Sequence, residues 1–176
     1  MRKLFSQVML VSMCFCFVGC GYTTRASLPA RLRTVHVQTF KNNIDFTSES
    51  FSNVYLPLLE VDVTNAIVDR FLFDGNLKIA QEQVADLVLN GTLTGYQREA
   101  LRYTDNDDVQ EYRVQVIVDL VLYDTGKDET LWTESGFVGE ATYFLTGVQA
   151  TTEASAVSEA TVDLARRVIE RTIENW

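Results

Sequence analysis

Histidine is almost missing from this chain and cysteine is scarce, with one His and three Cys in 176 residues. With His36 alone, no multi-histidine metal site can be built, and no H-E-x-x-H helix exists to hold zinc. A G-x-S-x-G elbow and a P-loop are missing too. Positive charge is short, with 15 Lys and Arg against 24 Asp and Glu and a net charge of −9. Such a chain is a poor general partner for nucleic acid, whose affinity rests on neutralised phosphates. It is an equally poor polybasic binder of membranes. Long apolar runs are lacking as well. The stretch from Val8 to Val18 falls short of the ~20 residues that a membrane-spanning helix needs.

That short run has another use. Arg2 and Lys3 precede it, and small Gly19 stands just before Cys20, which is the layout of a secretory leader cut at a cysteine. Phe17-Val18-Gly19-Cys20 resembles the lipobox of bacterial lipoproteins, with Phe17 where Leu is usual. The resemblance implies that Cys20 is acylated and becomes the first residue, which leaves about 157 of the 176 residues for one domain with a full core. Cys14 and Cys16 depart with the leader 1–19. Cys20 is then the last thiol, so no internal disulfide and no cysteine nucleophile is expected. Gly21 follows where Asp would signal inner-membrane retention, so the same resemblance favours the outer membrane. Residues 20–32 read as a tether, whose ~12 residues reach at most ~40 Å. Residues 33–176 read as a single domain.

Periodicity supplies the elements. Arg33 to Phe40 alternates as a strand, with Val35 and Val37 on one face. Lys41 to Asn53 is polar and reads as a loop. Leu59, Val63, Ala66, Ile67 and Phe71 make a helical stripe over 58–73, and Gly75 can supply the left-handed stop. Leu77–Ala80 is a short strand. Asp86–Tyr103, Gln110–Tyr123 and Leu131–Phe144 are long ones, joined by polar turns at Thr104–Asp108 and Asp124–Asp128. Thr151–Trp176 is helical, with Val157, Thr161, Leu164, Val168 and Thr172 in line. Glu153 and Glu159 lie toward its start and three arginines toward its end, as the macrodipole favours. The expected fold is α+β: a two-layer sandwich, a mostly antiparallel sheet with two helices packed on one face.

Strand parity gives a register. Pair numbers totalling 213 put Leu93 opposite Leu120, Leu101 opposite Tyr112, Arg98 opposite Gln115, Ala100 opposite Arg113 and Arg102 opposite Glu111. On that register Tyr96, Arg98, Arg102 and Arg113 share the sheet face away from the helices. Arginine binds phosphate through a planar fork, so this patch is the candidate site for an anionic ligand. A plain ion pair between Arg102 and Glu111 is the alternative. His36 reads as a solvent-side strand residue. Asp105, Asp107 and Asp108 lack the spacing, Gly and closing Glu of a calcium loop and read as a hairpin tip. No cofactor or metal is implied.

Together, Cys20-Gly21-Tyr22, Val35-His36-Val37 through Phe40-Lys41-Asn42, Thr64-Asn65-Ala66, Ala85-Asp86-Leu87-Val88-Leu89-Asn90-Gly91 and Leu131-Trp132, in that order, resemble the LPS-assembly lipoprotein family (LptE-like). The resemblance implies a non-enzymatic outer-membrane lipoprotein. Its partner would be the β-barrel LPS translocon of the outer membrane, which it plugs and helps to assemble, and it would assist delivery of lipopolysaccharide to the outer leaflet. A plug needs a polar face toward the lumen, and the face with Thr92, Thr94, Tyr96, Arg98, Gln115 and Asp119 is the candidate. The alternatives are a lipoprotein subunit of another envelope machine, such as a secretion or pilus-type assembly, and a periplasmic hydrolase.

Overall fold

A computed structural model describes residues 28–44 and 56–174. The elements run β1 Thr34–Val37, β2 Lys41–Asn42, α1 Leu59–Asp74, β3 Lys78–Ile79, a 3-10 turn Glu82–Val84, β4 Leu87–Tyr103, β5 Val109–Asp124, β6 Glu129–Phe144 and α2 Glu153–Glu174. The sheet order is β3-β1-β4-β5-β6, with β2 also paired to β4. The short strands pair in parallel, and the long hairpins β4–β5–β6 are antiparallel. Both helices pack on one face. This is the α+β two-layer sandwich that the alternating strands and one-sided helices called for.

The core forms where the patterns meet. Val35 and Val37 of β1, Leu87, Leu89 and Leu93 of β4, and Val114, Val116, Val118, Leu120 and Leu122 of β5 are all buried. Leu59, Val63, Ile67 and Phe71 of α1 come down on them, as do Val157, Leu164 and Val168 of α2. Gly75 ends α1 at φ 75° and donates its N–H to Phe71 O. Gly139 lets α2 approach β6, because a Cβ there would lie 2.4 Å from Ala160 O. Gly91 leaves room for the buried Phe40 ring in the same way.

Two expectations need correcting. The segment read as a loop from Lys41 begins as strand, since Lys41 pairs with Thr92 and Asn42 with Leu93. Two residues are too few for a period to show. The register also differs. Leu93 lies opposite Val118, Arg98 opposite Val114 and Ala100 opposite Tyr112, while Arg102 does lie opposite Glu111. The cause is a β-bulge at Thr94, between the pairs Leu93–Val118 and Gly95–Ile117, followed by further shifts around Arg102. An extra residue in one strand reverses which side chains face the core. Tyr96 is therefore buried, and Leu101, expected in the core, is 41% exposed.

Direction gives the sandwich two ends. The start of β1, the C-terminus of α1, Asp86 and the Asp124–Asp128 turn share the end where the chain enters. The Thr104–Asp108 hairpin tip and the start of α2 lie at the other. At the entry end Leu32 is buried, and Arg31 Nη1 donates to Asp124 Oδ1 at 3.0 Å. The described part of the segment expected to be a tether is thus tied to the domain, at residues 31–32.

The outer edge of β6 is closed at its middle by α2. Arg167 donates to Val138 O, and Glu140 N–H donates to Asp163 Oδ2 at 3.3 Å.

Candidate functional site

The bulge at Thr94 decides where the candidate residues go. It turns Tyr96 and Arg98 to the helix side, where the first turn of α2 delivers Glu153. The Tyr96 hydroxyl donates to Glu153 Oε1 at 2.6 Å and Arg98 Nη1 to Oε2 at 2.6 Å. The Tyr143 hydroxyl of β6 also donates to Oε2, at 3.3 Å. Tyr143 stacks on Tyr112 with ring centroids 5.6 Å apart, and the Arg98 guanidinium lies 5.0 Å over the Tyr112 ring. One carboxylate so joins α2 to two strands.

The electrostatics follow from this geometry. Burial opposes ionisation of Glu153, but the hydrogen bonds from Tyr96 and Arg98 outweigh it and hold the carboxyl below its usual range. Burial first, and then the Glu153 carboxylate, pushes the Tyr96 phenol well above its ordinary value. The Glu153 hydrogen bond raises Arg98 further. Each group here is held in its ordinary ionisation state at neutral pH.

Arg102 and Arg113 lie across the sheet, on the open face, in neighbouring rows. Arg113 Nη2 is 2.7 Å from Glu99 and Nη1 is 3.9 Å from Glu140. The hydrogen bond that Arg113 donates to Glu99 leads the rise of the Arg113 pKa. Arg102 is 3.4 Å from Glu111 and lies 5.7 Å over the Phe144 ring. The four residues expected on one face are therefore split, Tyr96 and Arg98 on the covered side, Arg102 and Arg113 on the open one. Each of the three arginines already faces a carboxylate. The rest of the open face is mixed: Thr92, Gln97, Glu99, Gln115, Asp119 and Glu140 are at least partly exposed, and so are Ile117, Val121, Tyr123, Val138 and Phe144.

Glu153 and Tyr143 escaped the sequence reading as site residues, since Glu153 looked like a macrodipole partner alone. Gly95 was the available signal, because a glycine inside a strand often marks a bulge. His36 is half-buried, with Nδ1 3.0 Å from Ala80 O. Among the described residues no cluster of His, Cys, Asp or Glu is placed to hold a metal ion. Cys20 lies outside the described residues.

At the entry end Asp124 is buried. It accepts from Arg31 at both oxygens and from the N–H groups of Gly126 and Lys127 at 3.1 and 3.2 Å. The Arg31 hydrogen bond keeps its carboxyl below the usual range. Asp86 accepts from Arg33 N and Thr34 N, each at 2.9 Å.

Fold and site together define a class: an α+β sandwich with both helices on one face, the other sheet face left open, and a part-buried polar cluster around Glu153 that joins helix to sheet. The fold is shared with protein XCC0632 from Xanthomonas campestris, at TM-score 0.56 and 8% identity, covering 82% of this chain and 88% of that one. It is shared also with the hypothetical protein CT253 from Chlamydia trachomatis, at TM-score 0.52 and 11% identity, covering 80% and 95%. The model of the lipopolysaccharide-assembly family, LptE, matches residues 32–172, and the chain belongs to that family. No curated protein matches the sequence. The lipoproteins of this family sit in the outer membrane. Among the described residues no helix is long and apolar enough to cross a membrane.

Proposed function

We propose that this protein is an acylated outer-membrane lipoprotein that plugs the β-barrel LPS translocon, helps it assemble, and assists delivery of lipopolysaccharide to the outer leaflet. The observation that carries the reading is the family match across residues 32–172. The geometry is compatible with it, because the helices seal one sheet face and leave the other open, where Thr92, Gln97, Glu99, Gln115, Asp119 and Glu140 can meet a water-filled lumen and Ile117, Val121 and Val138 can meet the barrel wall. The role is one of shape and contact, without a reaction. Cys20 carries the acyl chains, and residues 33–176 form the domain, to which Arg31 and Leu32 are tied. Arg102 and Arg113 are the basic contacts on the open face. Lipopolysaccharide phosphate would displace Glu111 and Glu99 from them, which suits a passing ligand better than a tightly held one. Arg98 and Tyr96 act behind the sheet as supports.

The test is extraction in mild detergent followed by affinity capture of the tagged protein. A large outer-membrane β-barrel should co-purify in defined stoichiometry, and mass spectrometry should find an acylated N-terminus at Cys20. Capture of an inner-membrane ring complex without the barrel would refute the plug and favour a subunit of another envelope machine. For the basic contacts, Arg102→Glu with Arg113→Glu should weaken lipopolysaccharide binding more than the same change at Arg166 and Arg167.

A further inference from the structure

We propose that Leu72, Phe73 and Val84 form a second attachment to the membrane, seated in the headgroup boundary of a lipid bilayer beside the acyl anchor. The inference rests on the lipoprotein reading of Cys20.

Three apolar side chains are left in water at one end of the domain. Leu72 is 62% exposed, Phe73 81% and Val84 71%. The core stripe of α1 ends at Phe71, which is fully buried. At 100° per residue, Leu72 and Phe73 turn away from that stripe. Packing inside the domain therefore does not account for them. Each is more than half exposed, an unusual cost for large apolar side chains at one end of a small domain.

The topology fixes where this surface lies. Lys78, five residues after Phe73, pairs with Thr34 at the start of β1. Asp86, two residues after Val84, holds the N–H groups of Arg33 and Thr34. Both apolar segments thus belong to the end where the chain enters. Arg31, locked to the buried Asp124, prevents that entry point from swinging away. From Cys20 to Leu28 the chain spans at most about 30 Å, so the entry end cannot leave the surface that holds the acyl chains.

The chemistry fits a headgroup boundary. The Arg70 guanidinium lies 5.2 Å over the Phe73 ring, an arrangement in which the ring enters the apolar layer and the charge stays at the headgroups. Arg33 and Lys78 are exposed at adjoining strand positions, and Asp74 and Glu82 are exposed close by. The charges nearly balance, so attraction to anionic lipid is small and the apolar side chains carry the attachment. The other exposed apolar group, Leu101, Tyr103, Leu145 and Val148, lies at the opposite end and serves as the control.

The experiment uses the full lipidated protein in phosphatidylethanolamine–phosphatidylglycerol vesicles. Phe73→Cys and Val148→Cys carry an environment-sensitive fluorophore, and the lipids carry bromine on their acyl chains. Both sites are exposed, and circular dichroism melts check that the fold is kept. The label at 73 should shift to the blue and be quenched several-fold more than the label at 148. Equal quenching at both sites, or none at 73 in a protein whose acylated N-terminus is confirmed by mass spectrometry, overturns the inference. Loss of quenching at 73 when the barrel partner is added in stoichiometric amount assigns the patch to that protein and overturns it too. An unacylated N-terminus with no quenching overturns the anchor itself.

Discussion

Glu153→Ala removes the acceptor of three hydrogen bonds at once, and its cost can be worked from the geometry. Tyr96 is 4% exposed, and it loses a 2.6 Å bond with no water to replace it. A buried hydroxyl left unpaired costs about 1–3 kcal/mol. Arg98 also loses a 2.6 Å partner, but its side chain is 29% exposed and that of Glu153 24%. Water then recovers much of that bond, and about 1 kcal/mol is a fair remainder. The Tyr143 bond, at 3.3 Å, adds little. The sum is about 2–4 kcal/mol, which in a domain of this size lowers Tm by about 5–15 °C. Glu153→Gln keeps an acceptor for Tyr96 but no charge for Arg98, and should lose about half as much. The pH dependence has a definite sign. The folded carboxyl titrates below its unfolded value, so its contribution is complete above the unfolded value of about 4.3. It disappears as pH falls through the folded value. The gap between wild type and Glu153→Gln should be constant from pH 7 to about 5 and shrink as pH falls below the unfolded value. Urea melts followed by circular dichroism measure all of this, with exposed Glu159→Ala on the same helix as control. If Glu153→Ala and Glu159→Ala melt together, the cluster does not hold α2 to the sheet.

Val116→Asp places a carboxylate in a fully buried site and should cost several kcal/mol, half or more of a typical domain's stability. Gln115→Asp on the open face should cost about 0.5 kcal/mol, and equal losses in urea would refute the face assignment. Gly139→Ala would drive a Cβ to 2.4 Å from Ala160 O. Because that oxygen is backbone, α2 must lift, at about 1–3 kcal/mol; an unchanged melt would show that the helix already stands clear. Leu58 sits at φ 63° before α1 with its side chain 63% exposed. Leu58→Gly should therefore gain about 1 kcal/mol by removing a left-handed penalty, and a lower Tm would contradict that.

Most of the fold could be read from the chain because its signals are long and redundant. The stretch Tyr112, Val114, Val116, Val118, Leu120, Leu122 repeats one choice six times, and all but Tyr112 are buried. The stripe of α2 is as plain. What escaped depends on single residues. One extra residue at Thr94 reversed the faces of Tyr96 and Arg98, because a period of two cannot survive an odd insertion. The proposed patch was drawn on the far side of that insertion. The sheet separates its residues, Tyr96 and Arg98 on the helix side and Arg102 and Arg113 on the open one. Arg102–Glu111 was placed correctly because the shifts beyond Ala100 bring that pair back into the expected register. Arg31 and Leu32 looked like tether, and only the buried Asp124, some ninety residues on, shows why they are not. Contacts so distant in sequence leave no local mark.

The closure of β6 has a consequence for neighbours. Val138 C=O and Glu140 N–H are the pair that one residue of a parallel incoming strand would take, and Arg167 and Asp163, one turn apart on α2, already occupy both. A foreign chain zipping along this margin from either side runs out of donors and acceptors halfway, before it has gained enough bonds to offset its ordering. For a protein proposed to work among the unfinished strands of a barrel, such a margin is safe company. It can touch an immature strand without templating it, so the strand stays available to its proper neighbour.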